Sequence, residues 1–75
     1  MVGLLSGVIT KREKSVDLKY IYIGTASAGS ADDEPVWNIR RIEIGSDGNF
    51  KEILWANGNE LYNCKWSDRL DLEYR

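Results

Sequence analysis

Few side chains in this 75-residue chain could do chemistry: one cysteine, two groupings of carboxylates and no histidine. Asp32, Asp33 and Glu34 are consecutive, and Asp71 and Glu73 stand two apart. General acid–base work needs a carboxyl held in a pocket that shifts its pKa. The first grouping follows a stretch of small residues that reads as a loop. The second falls on the polar side of an alternating run, so both are expected in solvent. Calcium takes oxygens from alternating loop positions around a turn glycine, and adjacent carboxylates after Ala31 do not supply that spacing. Cys64 has no histidine to activate it, and it alternates with Tyr62 and Trp66, which predicts a buried, inert thiol. The glycines form neither a dinucleotide fingerprint nor a P-loop. The sequence read this way points away from an enzyme and calls for no metal and no cofactor.

Arg40 and Arg41 beside Trp37, with Tyr20 and Tyr22 on another segment, are the remaining candidates. An aromatic and basic sheet face of that kind can bind single-stranded nucleic acid, and Trp and Tyr faces can also stack on sugars. The competing reading makes the aromatics the core and the arginines its cover, with their stems laid across it. The formal charge of −2 and a pI near 5.0 argue against nucleic acid as the main partner.

The chain length predicts one domain with a marginal core of its own. With one cysteine no internal disulfide can form, so stability must come from aromatic packing or from association. Three Trp, four Tyr and one Phe supply the bulk. A single cysteine fits a reducing compartment. The apolar run of residues 2–9 is too short to span a membrane, and its positive charges follow it, the wrong order for a signal peptide. A soluble protein with its start methionine is the expectation.

The segment that organises the rest is 36–58, read as two strands joined by a turn at 45–49 and ended by the tight turn Asn57-Gly58. Residues 16–23 alternate, with Val16, Leu18, Tyr20 and Tyr22 on one side, and predict a strand. Residues 25–35 read as a loop. In 36–44, Trp37 and Ile39 are odd-numbered while Ile42 and Ile44 are even-numbered. A β-bulge at Arg40-Arg41 would bring all four to one face, and a strand buried on both sides is the alternative. Residues 50–56, 60–66 and 70–75 predict three more strands, the last with Leu70, Leu72 and Tyr74 inward. Trp66-Ser67-Asp68-Arg69 reads as a turn, with Asp68 capping backbone and Arg69 stacking or pairing. Residues 1–15 form an N-terminal arm or weak strand, and 16–75 a single small β domain. The predicted fold is all-β: a small antiparallel barrel or sandwich of five to six short strands.

With these pieces in place, the chain resembles a family of small, mostly uncharacterised proteins of tailed bacteriophages, found among virion and tail genes. The likeness is carried by Tyr22-Ile23-Gly24-Thr25-Ala26, by Val36-Trp37-Asn38-Ile39-Arg40-Arg41-Ile42 and by Ile53-Leu54-Trp55-Ala56-Asn57-Gly58. It ends in Trp66-Ser67-Asp68-Arg69 with Leu70, Leu72 and Tyr74, and so spans about residues 20–75. The resemblance implies a virion protein, made in the host cytoplasm, and implies no ligand or reaction. It fits a structural or accessory subunit (tail, connector or capsid decoration) that contacts itself or other virion proteins and no membrane. The candidate interface is the apolar arm Val2, Leu4, Leu5, Val8 and Ile9, with Arg40, Arg41 and Arg69. The alternative is a small β-barrel module that binds single-stranded nucleic acid or a host-surface glycan.

Overall fold

The structure is a computed structural model that describes residues 7–75. Four strands form one antiparallel sheet: β1 (Val8–Lys14), β2 (Tyr20–Ser27), β3 (Asn38–Ile44) and β4 (Phe50–Trp55). Their order in the sheet is their order in the chain. The fold is all-β, but the sheet is open and has two edges, so it is not the closed barrel expected, and among the described residues it has four strands where five to six were expected. Residues 60–66 and 70–75 were expected to add strands. Each adds one isolated bridge instead, Trp37 to Cys64 and Ala56 to Tyr74. The C-terminal chain crosses one face of the sheet as a cover, with a single 3-10 turn at Trp66–Asp68. Four strands are too few to close on themselves.

The turns explain the boundaries. Residues 16–19 belong to the β1–β2 turn and not to a strand. The Ser15 hydroxyl donates to Asp17 Oδ1 (2.6 Å) and accepts from the amides of Lys19 and Tyr20 (3.2 and 3.1 Å). Leu18 takes a φ of 61°. Local side-chain bonds of this kind offer the backbone an alternative to a ladder. Val16 and Leu18 therefore project into solvent, although their alternation predicted burial. The β3–β4 turn closes through Gly45 N–H to Asn49 O (2.8 Å), with Gly48 at a φ of 83°. Asn57 and Gly58 have φ of 56° and 74°, the successive positive values that an Asn-Gly turn favours.

The pleat divides the sheet into two faces. Tyr22, Ala26, Ile39 and Ala56 point to the covered one and pack with Trp37, Cys64, Trp66 and Tyr74. Ile9 of β1 packs against this cluster, so of the two readings of residues 1–15, arm or weak strand, residues 8–14 follow the strand, at an edge of the sheet. Trp37 is fully buried and lies 5.8 Å from Trp66, ring centre to ring centre. Its indole N–H donates to Ala31 O (2.9 Å), which fastens the 28–36 loop to the same side. Ile21 and Ile42, buried on the other face, belong to a separate layer. β3 stays regular through Arg40 and Arg41. The register shift falls between Glu43 and Ile44, where β4 carries the extra residue Lys51. The bulge expected at Arg40-Arg41 is therefore absent, and β3 buries Ile39 on one side and Ile42 on the other.

Candidate functional site

The eight candidate interface residues do not form one surface. Val2, Leu4 and Leu5 lie outside the described residues. Val8 is two-thirds exposed at the start of β1, and Ile9 turns to the core. Adjacent positions on a strand point to opposite faces, so Arg40 and Arg41 part company. Arg40 lies on the uncovered face, 5.5 Å above the Trp55 ring. Arg41 lies on the covered face between Tyr20 (4.3 Å) and Tyr74 (4.8 Å), and its Nε has no hydrogen-bond partner.

Arg69 belongs to the cover. It stacks on Trp66 at 4.8 Å and forks onto both carboxylate oxygens of Glu13 at 2.8 and 3.0 Å. Both expected uses of Arg69, stacking and pairing, thus occur together. No side chain caps the 3-10 turn, so Asp68 does not play the expected capping role. The bond from Arg69 holds the Glu13 carboxyl below its ordinary pKa, against a smaller desolvation effect. That contribution is present above the ordinary carboxylate range and is lost as acid titrates Glu13 through its lowered value. Glu13 is nearly half exposed, so screening leaves a small effect. Glu13→Gln is expected to cost under about 1 kcal/mol, read from urea melts at pH 7. A loss several times larger would show that this pair, and not the aromatic core, holds the cover down.

Carboxylates that depart from their ordinary values all go down. The Ser15 hydroxyl lowers Asp17, and the Asn49 amide lowers Asp47. Asp32 pairs with Lys11 at 2.6 Å, and Glu34 accepts from the Ala31 amide at 2.6 Å, so the acidic run has structural roles in its loop. Cys64 is buried, and burial pushes its thiol up, with Asp68 adding to the effect. An open hollow at the β1–β2 turn is lined by Lys14, Val16, Tyr20, Tyr22, Arg69 and Leu70. The carboxylates at its rim, Glu13 and Asp17, are the lowered ones. Among the described residues no cluster has the makings of a metal site. Among the described residues no helix is long and apolar enough to cross a membrane.

The arrangement that stands out is the uncovered face. Register places Arg12, Ile23, Arg40 and Trp55 in one row across the four strands, and Lys14, Ile21, Ile42 and Ile53 in the next. Ile44 and Phe50 pair beyond them. Ile53 is half exposed and Phe50 two-thirds exposed. Between Val8 and Trp55 no carboxylate of a strand points to this side: Glu13, Glu43 and Glu52 all take the other parity. The surface is apolar, carries three cations and holds Trp55 under a guanidinium. Sequence reasoning missed it because the assumed bulge moved Ile42 and Ile44 to the core. Plain period-2 counting along β3 would have separated Arg40 from Arg41 and exposed the stripe.

Comparison with protein families, with curated proteins and with solved structures returns no match for this chain.

Proposed function

We propose that the protein is a non-enzymatic structural or accessory component of a bacteriophage particle, acting by protein–protein contact through the uncovered face of its sheet. The observation that carries the contact reading is that face: among the described residues, Ile23, Ile44, Phe50, Ile53 and Trp55 form one apolar surface, with Phe50 and Ile53 each more than half exposed. The C-terminal segment reaches this side at one end, where the Asn38 side chain donates to Glu60 O (2.6 Å). Contiguous apolar surface ringed by polar groups marks an interaction site more often than chance exposure does. The phage setting rests on the sequence pieces from Tyr22 to Tyr74 set out above. Val8, at the start of β1, points to the same side as the isoleucines.

The test is the protein's presence and anchoring in purified particles of the parent phage. Quantitative mass spectrometry is expected to find it in stoichiometric amounts. Ile53→Arg, which keeps the sign of the face and removes its apolar centre, is expected to cut incorporation at least tenfold. Its melting temperature should stay near that of the parent. Absence from particles would overturn the virion reading, and full incorporation of the variant would overturn the role of the face.

A second reading is favoured by one observation, the Arg40–Trp55 pair on a face to which the four strands contribute no carboxylate. A guanidinium beside an indole suits stacking of an anionic single strand. Saturable quenching of tryptophan fluorescence by an oligonucleotide, lost in Arg40→Ala, would carry that reading. No quenching would remove it.

A further inference from the structure

We infer that the occupant of the uncovered face is the cover of a second copy of the same chain, so that copies stack head to tail. This rests on the contact reading above and names the partner.

The charge is divided between two sides of the molecule. Arg12, Lys14 and Arg40 give the uncovered face +3. The cover, residues 28–36 and 57–75, holds seven acidic and three basic side chains, a net of −4. The whole chain sums to only −2, so the modest total conceals two opposed surfaces. The cover also presents apolar groups to solvent: Leu61, Tyr62 and Leu70 are each more than half exposed. A cationic apolar face and an anionic apolar face on one molecule are complementary to each other.

The other self-contacts fit worse. A two-fold contact would set the uncovered face against its own copy, and an isologous interface repeats every like charge across the axis. Arg12, Lys14 and Arg40 would then confront one another, which works against pairing. Edge-to-edge extension is opposed at β1 by Lys11, Arg12, Glu13 and Lys14 in succession, the device by which edges avoid pairing. At the end of β4, Trp55 and Arg75 exchange backbone bonds at 3.1 and 3.4 Å, which occupies that edge.

Four strands spaced about 4.8 Å apart and about six residues long give a face on the order of 400 Å² in projection. That is at the small end for a specific interface, so one contact is weak and assembly depends on concentration. A heterologous contact leaves a free face at each end, so it continues until a ring closes or a shell limits it.

The experiment uses the wild-type chain and two charge-reversed variants, with mass read by light scattering across a concentration series. One variant changes the face, Arg12→Glu with Lys14→Glu. The other changes the cover, Glu60→Lys with Asp71→Lys. All four positions are exposed, and circular dichroism of each variant establishes that the sheet is kept. Wild type is expected to grow with concentration and to dissociate as salt rises from about 0.05 to 0.5 M, where screening shortens to within a contact distance. Each variant alone is expected to remain at the 8.6 kDa of a single chain. Mixed in equal amounts, they are expected to form a 1:1 pair and stop there, since each retains one usable surface. Should a variant lose its sheet, Arg12→Gln with Lys14→Gln is expected to weaken wild-type assembly at least tenfold by charge removal alone. A wild type that stays monomeric at all concentrations overturns the inference. So does a face variant that assembles normally, or a mixture that stays monomeric. Quenching by an oligonucleotide in place of self-assembly would assign the face to nucleic acid. A monomer still found in particles would end the head-to-tail arrangement and leave the functional reading standing.

Discussion

Gly24→Ala is expected to unfold most of the molecule at room temperature. Gly24 lies on β2 beneath the two indoles. A Cβ there would overlap Trp66 Cε3, and would stand 2.7 Å from Trp66 Cζ3 and 3.1 Å from Trp37 Cε3. The side chains it meets are rigid rings and not the free ends of flexible chains. Trp37 is pinned by its bond to Ala31 O and by the paired backbone of Cys64, so the strain falls on Trp66 and the 3-10 turn. Overpacking a core costs about 1–3 kcal/mol, and more where nothing can yield. A loss of about 3 kcal/mol or more would consume most of the stability of a domain this small. Urea denaturation followed by tryptophan fluorescence reads it. The control is Trp66→Leu: if the clash is the cause, Gly24→Ala added to Trp66→Leu should cost far less than it does alone. A mild effect of Gly24→Ala in the parent chain would mean that the indole is not seated on β2.

This glycine also marks how far the sequence could be read. The strand read at 16–23 persists as β2 from Tyr20, but β2 runs on through Gly24 to Ser27, where a loop was expected from residue 25. The hairpin of β3 and β4 and the Asn57-Gly58 turn were legible because both rest on local chemistry, alternation and positive φ. Cys64 and Trp66 are buried as their shared parity predicts, but Tyr62, of the same parity, is more than half exposed. Residues 16–19 misled because Val16 and Leu18 continue the parity of Tyr20 across a turn. Ser15 and Asp17 build that turn through local side-chain bonds, which apolar parity alone does not reveal. Residues 70–75 misled in a different way. Leu72 and Tyr74 do pack inward while Leu70 is exposed, and inward packing does not require a strand: only residues 73–75 bond to the backbone of residues 55–57. Glycine's conformational freedom is the usual reason to place it in a strand, but Gly24 is there to admit an indole from 42 positions away. No local pattern encodes that.

The candidate face was hidden for a related reason. Charge totals average over surfaces, and −2 gave no hint that Arg12, Lys14 and Arg40 share a side to which the four strands contribute no carboxylate. Only the register brings them together, because they come from two strands that are not adjacent in the sheet. Once the bulge is moved from Arg40-Arg41 to Lys51, the parity of the sequence yields the same partition. The missing information was therefore one register shift.

Removing the Tyr74 ring is expected to loosen the whole cover. Its ring sits 5.8 Å from Tyr22 and receives the Arg41 guanidinium at 4.8 Å. Its hydroxyl donates to Arg69 O at 2.7 Å, and its backbone bridges Ala56. Tyr74→Ala is expected to cost about 3–5 kcal/mol, the range for deleting a buried aromatic ring. It would also leave Arg41, already without a partner at Nε, facing an empty space. Tyr74→Phe keeps the ring and is expected to cost about 1 kcal/mol at neutral pH, the worth of one hydrogen bond. The two variants part in alkali. Burial raises the Tyr74 phenol well above its ordinary pKa of 10, Tyr22 adds to that, and the Arg41 cation opposes it. The stability tied to the neutral phenol is complete below the unfolded pKa near 10. Above that the unfolded chain releases a proton that the folded one keeps, so stability falls as pH rises toward the folded value. The slope can reach about 1.4 kcal/mol per pH unit for this one group. Urea melts at pH 8, 10 and 11 should show this decline in the parent and a flatter one in Tyr74→Phe, so that the two converge in alkali. Equal slopes would mean that the phenol is open to water. A cover whose fit depends on one neutral tyrosine would then have to be held by the indoles alone.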